Sequence, residues 1–308
     1  MAMDHAWIQA LFPSAPAPGT QSRPSTISSR RSSVDDGGVA QGLTTEISTL
    51  SSQPVLQGQY DEGHYALNPS RQQAPSQGSS ETLLDIKQLH RAASFGHVED
   101  VKMLLDQGVS PAALYNGELP LHESAKGGEV EVTPLLCDRK VDIEAKDNDG
   151  VTALMQAAFY GECTVIELLL DKGADIEAKD NNGMTALIWA INLRNSHAVE
   201  LLFEKGADIE AKDNNGMTAL MQAAFYGKCT VVELLLDKGA DIEAKDNNGM
   251  TALMQAILLR NRHVVELLLE KGADVNVKNK FGTTPLSVAE TRDDNDLVDL
   301  LLEHGATN

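Results

Sequence analysis

Eight histidines, three cysteines and an excess of carboxylates are the side chains of this 308-residue chain able to hold a metal, attack a substrate or shuttle a proton. Their spacing serves none of these roles. His122-Glu123 opens like a zinc-binding helix, in which a second histidine four residues after the first completes the ligand pair, but Lys126 stands there. His197 and His263 fall 66 residues apart in matching surroundings, which reads as a repeated joint residue rather than a ligand. Asp171, Asp175 and Glu177 recur as Asp237, Asp241 and Glu243, so they read as solvated or turn-supporting carboxylates. No glycine-rich loop with a following lysine suits a nucleotide. A catalytic residue, a metal and a cofactor are all unexpected.

The elements that would position any site explain this recurrence. Gly150, Gly183, Gly216, Gly249 and Gly282 lie 33 residues apart, and each is followed two residues on by a threonine: Thr152, Thr185, Thr218, Thr251 and Thr284. A fixed period of that length signals a stacked array, in which each unit buries its apolar face only against its neighbours.

Within one copy each part has a local cause. Asp147-Asn148-Asp149-Gly150 has the composition of a tight turn. Thr152 suits an N-cap for an alanine-rich helix over Ala153–Phe159, and Gly161 can end that helix in the left-handed conformation. Thr164-Val165-Ile166-Glu167 fits a capping box opening a second helix, with Val165, Leu168 and Leu169 on one face and Gly173 at its end. Ala174 to Lys179 is an extended return to the next turn.

Other copies add more specific motifs: Leu89-His90-Arg91-Ala92-Ala93, Gly96-His97, Leu121-His122, Thr284-Pro285-Leu286 and Gly272-Ala273-Asp274-Val275-Asn276. At these spacings the chain resembles the ankyrin repeat over roughly Glu81 to Asn308. The resemblance implies an all-α repeat solenoid, an ankyrin-type stack of helix pairs with β-hairpin turns whose concave side takes protein partners. Seven repeats are expected, over 81–116, 117–149, 150–182, 183–215, 216–248, 249–281 and 282–308. The last is expected to act as a cap, with Asp293, Asp294, Asp296, Asp299 and Glu303 around a leucine interior.

Departures from the family pattern carry their own expectations. Met155, Ile188, Met221 and Met254 replace the usual first-helix histidine, so apolar packing must substitute for its hydrogen bonds. Arg194 and Arg260 occupy the joint where Gly161 and Gly227 sit, and either they or the following Asn195 and Asn261 must turn left-handed. The second copy is expected to be weakest, because Lys140 replaces a glycine and Pro134 falls in the opening turn of its second helix. Residues 150–182 and 216–248 differ only at Val151/Met217, Glu162/Lys228 and Ile166/Val232, which marks duplication of a two-repeat unit.

Residues 1–80 hold fourteen serines and seven prolines with no sustained apolar period, so a disordered arm is expected there. Within it, Trp7, Ile8, Leu11 and Phe12 have the pattern of a docking peptide, and Ser33 in Arg30-Arg31-Ser32-Ser33-Val34 resembles a basophilic kinase site. The chain carries 25 Lys and Arg against 45 Asp and Glu; residues 1–80 hold 4 and 6, leaving 21 and 39, or −18, on the repeats. That field repels nucleic acid and speeds encounter with a basic protein. Cys163 and Cys229 occupy equivalent places two repeats apart, about 20 Å at ordinary helix spacing, too far for a disulfide. No signal segment and no run of about 18 apolar residues appears, so an intracellular, reduced protein is expected, cytoplasmic with the nucleus as alternative, with no membrane partner.

The function expected is a monomeric, non-catalytic interaction module or scaffold for one or more proteins. Two other readings stand beside it: a substrate-recognition subunit of a larger assembly such as a ubiquitin ligase, and a structural spacer or remnant of a larger repeat protein. Contacts are expected at turn tips, Asn181-Asn182-Gly183-Met184, Asn214-Asn215-Gly216-Met217 and Asn247-Asn248-Gly249-Met250, and at the rim aromatics Phe159, Tyr160, Phe225 and Tyr226.

Overall fold

The computed structural model describes residues 82–192 and 196–307. The arm over residues 1–80, with its Trp7-to-Phe12 peptide and Ser33, lies outside the described residues, as do Arg194 and Asn195. The described residues form seven helix pairs: α1 (Leu83–Ser94) with α2 (Val98–Asp106), α3 (Pro120–Lys126) with α4 (Val132–Asp138), α5 (Ala153–Tyr160) with α6 (Cys163–Asp171), α7 (Ala186–Asn192) with α8 (Ser196–Glu204), α9 (Ala219–Phe225) with α10 (Cys229–Asp237), α11 (Ala252–Leu258) with α12 (Arg262–Glu270), and α13 (Pro285–Thr291) with α14 (Asn295–Glu303). Each first helix packs on its own second helix and on the first helices before and after it, more extensively than neighbouring second helices pack on one another. Alanine makes this close approach feasible: Ala153, Ala157 and Ala158, then Ala219, Ala223 and Ala224, are essentially buried.

Four turns are built by one carboxylate each, from Asp147, Asp180, Asp213 and Asp246, and the last by the amide oxygen of Asn279. Asp180 Oδ1 accepts the amides of Asn182 and Met184, both at 2.8 Å, and Gly183 N donates to Asp180 O at 3.0 Å. Gly216, in the matching turn, needs to be glycine twice over, since its φ is +80° and a Cβ would lie 2.6 Å from Asn247 Oδ1 of the next repeat. A hydrogen bond from Asp180 N to Met184 O at 3.1 Å closes the hairpin, which extends no further into a strand among the described residues.

Thr152 caps α5 as expected, its hydroxyl accepting Met155 N at 3.4 Å, and Gly161 ends that helix at φ +78°. The expected capping box at Thr164 does not form. The second helix already starts at Cys163 with Glu162 as its N-cap, and no side chain bonds there. Gly161 and Glu162 both use their amides on Ala157 O, so the chain reverses within two residues and reaches helical geometry before Thr164.

The histidine positions also differ from expectation. In the second repeat Leu119 N donates to His122 Nδ1 at 3.1 Å, so Nε2 carries the hydrogen and donates to Val151 O of the next repeat at 3.0 Å. Burial pushes the His122 imidazole below its ordinary pKa, which keeps that neutral form. Met155 replaces part of this: its Sδ accepts Thr152 N at 3.5 Å, a weak stand-in for Nδ1, while the donor to the next repeat has no counterpart in a thioether. At the joint, Arg260 itself is left-handed at φ +57°, and Asn261 is the N-cap of α12 with a negative φ of −79°. Asn261 is held there because its Nδ2 donates to Ala224 O and Phe225 O of the preceding repeat. Lys140 is likewise left-handed at φ +61°, and α4 is two residues shorter than the nine-residue second helices elsewhere.

One continuous apolar core runs from Leu89 to Ala306, with Leu136, Ile166, Leu169, Leu202, Leu235 and Leu268 at its centre. Burying each such side chain stabilises the fold by roughly 2–3 kcal/mol. Among the described residues the first repeat opens at α1, which starts from a capping box in which Asp85 N donates to Thr82 Oγ1 and Thr82 N to Asp85 Oδ2.

Candidate partner-binding surface

The first helices end at a rim, and the expected aromatics sit on it unequally. Tyr160 and Tyr226 are 40% and 44% exposed, whereas Phe159 and Phe225 are half-buried. Each tyrosine stands edge-on to its phenylalanine, with ring centroids 5.1 Å apart for Phe159–Tyr160 and 5.3 Å for Phe225–Tyr226. Phe159 also meets Trp189 of the next repeat at 5.5 Å and packs on the core, so it belongs to both rim and stack. Phe95 and Leu259 occupy the same register as the tyrosines in the first and sixth repeats, 55% and 41% exposed. The rim is thus a broken row of apolar groups; these two residues were missed by sequence reasoning, although the 33-residue register locates Leu259 and the following joint glycine, Gly96, marks Phe95.

Turn tips divide by role. Asn181, Asn214 and Asn247 direct their side-chain amides backwards, Nδ2 donating to Asn148 O, Asn181 O and Asn214 O at 3.1, 2.9 and 3.0 Å. Asn182, Asn215 and Asn248 bond forwards through their backbone carbonyls, to Asn214 N, Asn247 N and Lys280 N. Met184 and Met217 are half-buried against the core, and Met250 is buried at 1% exposure with Met254 and Val277, which withdraws it from the surface.

Two further rows of inter-repeat bonds were not anticipated. Glu144, Glu177, Glu210 and Glu243 each accept an amide of the following repeat, at Asp175, Asp208, Asp241 and Asp274, over 2.7–2.8 Å. Lys146, Lys179, Lys212 and Lys245 each place Nζ on the carbonyl of the lysine one repeat on, at 2.7–3.2 Å. On the second helices, exposed pairs such as Lys172–Asp138 at 2.6 Å and Lys271–Asp237 at 3.0 Å repeat the theme, and solvent screens them. The only sequence signal for these rows was near-identity of the copies, which marks shared ancestry equally well.

The densest charge cluster lies on α3 and the hairpin before it. Lys126 Nζ sits 2.7 and 2.5 Å from the two carboxylate oxygens of Glu118 and 3.9 Å from Glu123. Burial, reinforced by the neighbouring Glu118, raises the Glu123 carboxyl to about 7 against partial relief from Lys126. Burial also pushes the Cys137 and Cys163 thiols up, so neither is an activated nucleophile. No group of three or more potential metal ligands converges, and no helix is long and apolar enough to cross a membrane, among the described residues.

Comparison with known proteins agrees with this architecture. A family model described as ankyrin repeats matches three times, over residues 89–180, 177–246 and 243–308. An ankyrin repeat-containing protein of Schizosaccharomyces pombe is 41% identical over 64 residues, covering 20% of this chain and 31% of the relative, so the match spans under a third of that protein. Among solved structures, the ankyrin repeat domain of Bcl-3, described as a unique member of the IkappaB protein family, aligns with a TM-score of 0.61 at 30% identity, covering 73% of this chain and all of that one. Ankyrin repeats are protein–protein interaction modules. With six complete helix pairs, left-handed glycines at the turns and a first-helix histidine bridging repeats inside the matched span, this chain belongs to the ankyrin-repeat family.

Proposed function

We propose that the chain is a non-catalytic binding module whose partner is a protein seated along the first-helix rim, with Tyr160 and Tyr226 as anchors. The observation that carries this reading is the pair of tyrosines at equivalent places two repeats apart, exposed yet each braced edge-on by a phenylalanine. Such side chains offer large contact area with little freedom left to lose on binding. The −18 charge of residues 81–308 favours a basic partner and a monomeric array, since two copies would repel each other. Three free cysteines suit a reducing compartment, the cytoplasm or nucleus.

Affinity purification of the full chain beside its Tyr160→Ala/Tyr226→Ala variant, read by mass spectrometry, tests the proposal. A client retained by the parent and lost by the variant supports it. Recovery of ligase adaptors independent of the tyrosines would favour a substrate-recognition subunit, and recovery of nothing specific would favour a spacer; either refutes the rim.

A further inference from the structure

The sequence contains four Asn-Gly pairs, the dipeptide most prone to spontaneous imide formation because glycine leaves its amide nitrogen unshielded: Asn116-Gly117, Asn182-Gly183, Asn215-Gly216 and Asn248-Gly249. Three of them are tied at every peptide group. The Asn182, Asn215 and Asn248 amides donate to Asp180, Asp213 and Asp246 Oδ1 at 2.8 Å. Their carbonyls accept Asn214, Asn247 and Lys280 amides at 2.9 Å, and the following glycine amides donate to the aspartate carbonyls at 2.9–3.0 Å.

Asn116-Gly117 has none of these bonds among the described residues. The pair forms the tip of a two-residue hairpin, with φ +54° at Asn116 and +86° at Gly117, closed by Tyr115 N to Glu118 O at 3.0 Å and Glu118 N to Tyr115 O at 3.1 Å. Asn116 is exposed, and its amide and carbonyl and the Gly117 amide all lack a protein partner.

We infer that Asn116 is the chain's site of spontaneous deamidation, singled out from its three sequence twins by a turn tip whose own amides and Asn116 carbonyl carry no hydrogen bond among the described residues. The Gly117 amide nitrogen loses its proton and bonds to Asn116 Cγ; the Cγ–Nδ2 bond breaks, and the nitrogen leaves as ammonia. Water then opens the five-membered imide at either carbonyl, giving aspartate or isoaspartate without any oxidant or reductant. Reaching that geometry requires the backbone to rotate and the glycine amide to be accessible, which the bonds at the other three sites oppose. The isoaspartyl product adds a main-chain carbon to a hairpin sized for two residues and sets a new carboxylate beside Glu118, which holds Lys126.

The test is incubation of the full chain at mildly alkaline pH and body temperature, with and without denaturing urea, followed by peptide mass spectrometry that separates aspartyl from isoaspartyl products. In the folded protein Asn116 is expected to convert at least about tenfold faster than Asn182, Asn215 or Asn248, since each backbone bond at those sites must open first. In urea the four rates are expected to converge. Equal rates in the folded protein would overturn the inference. So would an Asn116 lead that persists unchanged in urea, because flanking sequence rather than the turn would then be its cause.

Discussion

Glu123→Gln should stabilise the protein in mildly alkaline solution, although it removes a charge 3.9 Å from a lysine. Lys126 is committed to Glu118, which it holds through both carboxylate oxygens, and Glu118 and Glu123 are about a quarter exposed. Burial raises the Glu118 pKa, but hydrogen bonds from Lys126 and Glu123 outweigh it and hold that carboxyl below its ordinary range. Glu123 retains its proton to about 7 as the donor between the two acids. Because its folded pKa lies above the unfolded one, the associated stability is complete below the ordinary carboxylate range and is lost as pH rises through about 7. The full shift corresponds to about 3 kcal/mol at 1.36 per unit; solvent screening and the shared lysine bring the expected effect to about 1–2 kcal/mol. Glutamine keeps the donor and cannot ionise. Urea unfolding followed by circular dichroism should therefore give equal stabilities near pH 4, below the ordinary carboxylate value, and a variant more stable by about 1–2 kcal/mol near pH 8. The other titratable groups facing the pair are His122 on the same helix and His90 and Tyr160 on the neighbouring first helices; burial lowers both histidines, and their titration is common to parent and variant. A variant less stable at the higher pH, or two profiles that run parallel, would refute the reasoning.

Tyr160→Ala and Tyr226→Ala should each leave unfolding within about 0.5 kcal/mol while weakening a captured partner by more than about 1 kcal/mol, whereas Phe159→Ala should lower stability by about 1–3 kcal/mol through its contacts with Trp189 and the core; titration calorimetry and thermal melts distinguish the two. Met155→His restores both imidazole bonds seen at His122 and should raise stability by about 1 kcal/mol, measured by urea unfolding. Arg260→Gly relieves a left-handed arginine at about 1–2 kcal/mol but loses the 3.6 Å contact with Asp294 and the bond to Arg292 O, so a net gain below about 1 kcal/mol is expected, and a loss would mean the arginine contacts dominate. A fragment beginning at residue 81 should keep the helical circular dichroism and the cooperative melt of the full chain, because the described core begins at Leu89.

Local rules made the helix pairs legible. Thr152, Gly161 and Gly173 act within their own few residues, and the capping and left-handed preferences they obey need no knowledge of the neighbouring repeat. Reasoning of the same kind failed at Thr164, because the tight joint started the helix before the capping box could form, and at Asn261, because its side chain is claimed by Phe225 of the previous repeat. The rim aromatics were visible as residue types, but not their split into exposed tyrosine and half-buried phenylalanine, which depends on Trp189 one repeat away. The largest gap concerns the Glu177, Lys179 and Asn181 rows. Each looks like an exposed polar residue, and each bonds backbone 31–33 residues distant. Conserving them across copies is what a stacking role requires, since every copy must be both donor to one neighbour and acceptor from the other. Tyr160 and Tyr226 meet no such demand: the second repeat has Gly127 in their register and the last has Arg292. A position free to vary while its neighbours are tied to the stack is where the array can differ for a partner, and that is why we propose the rim, rather than the turn asparagines, as the recognition surface.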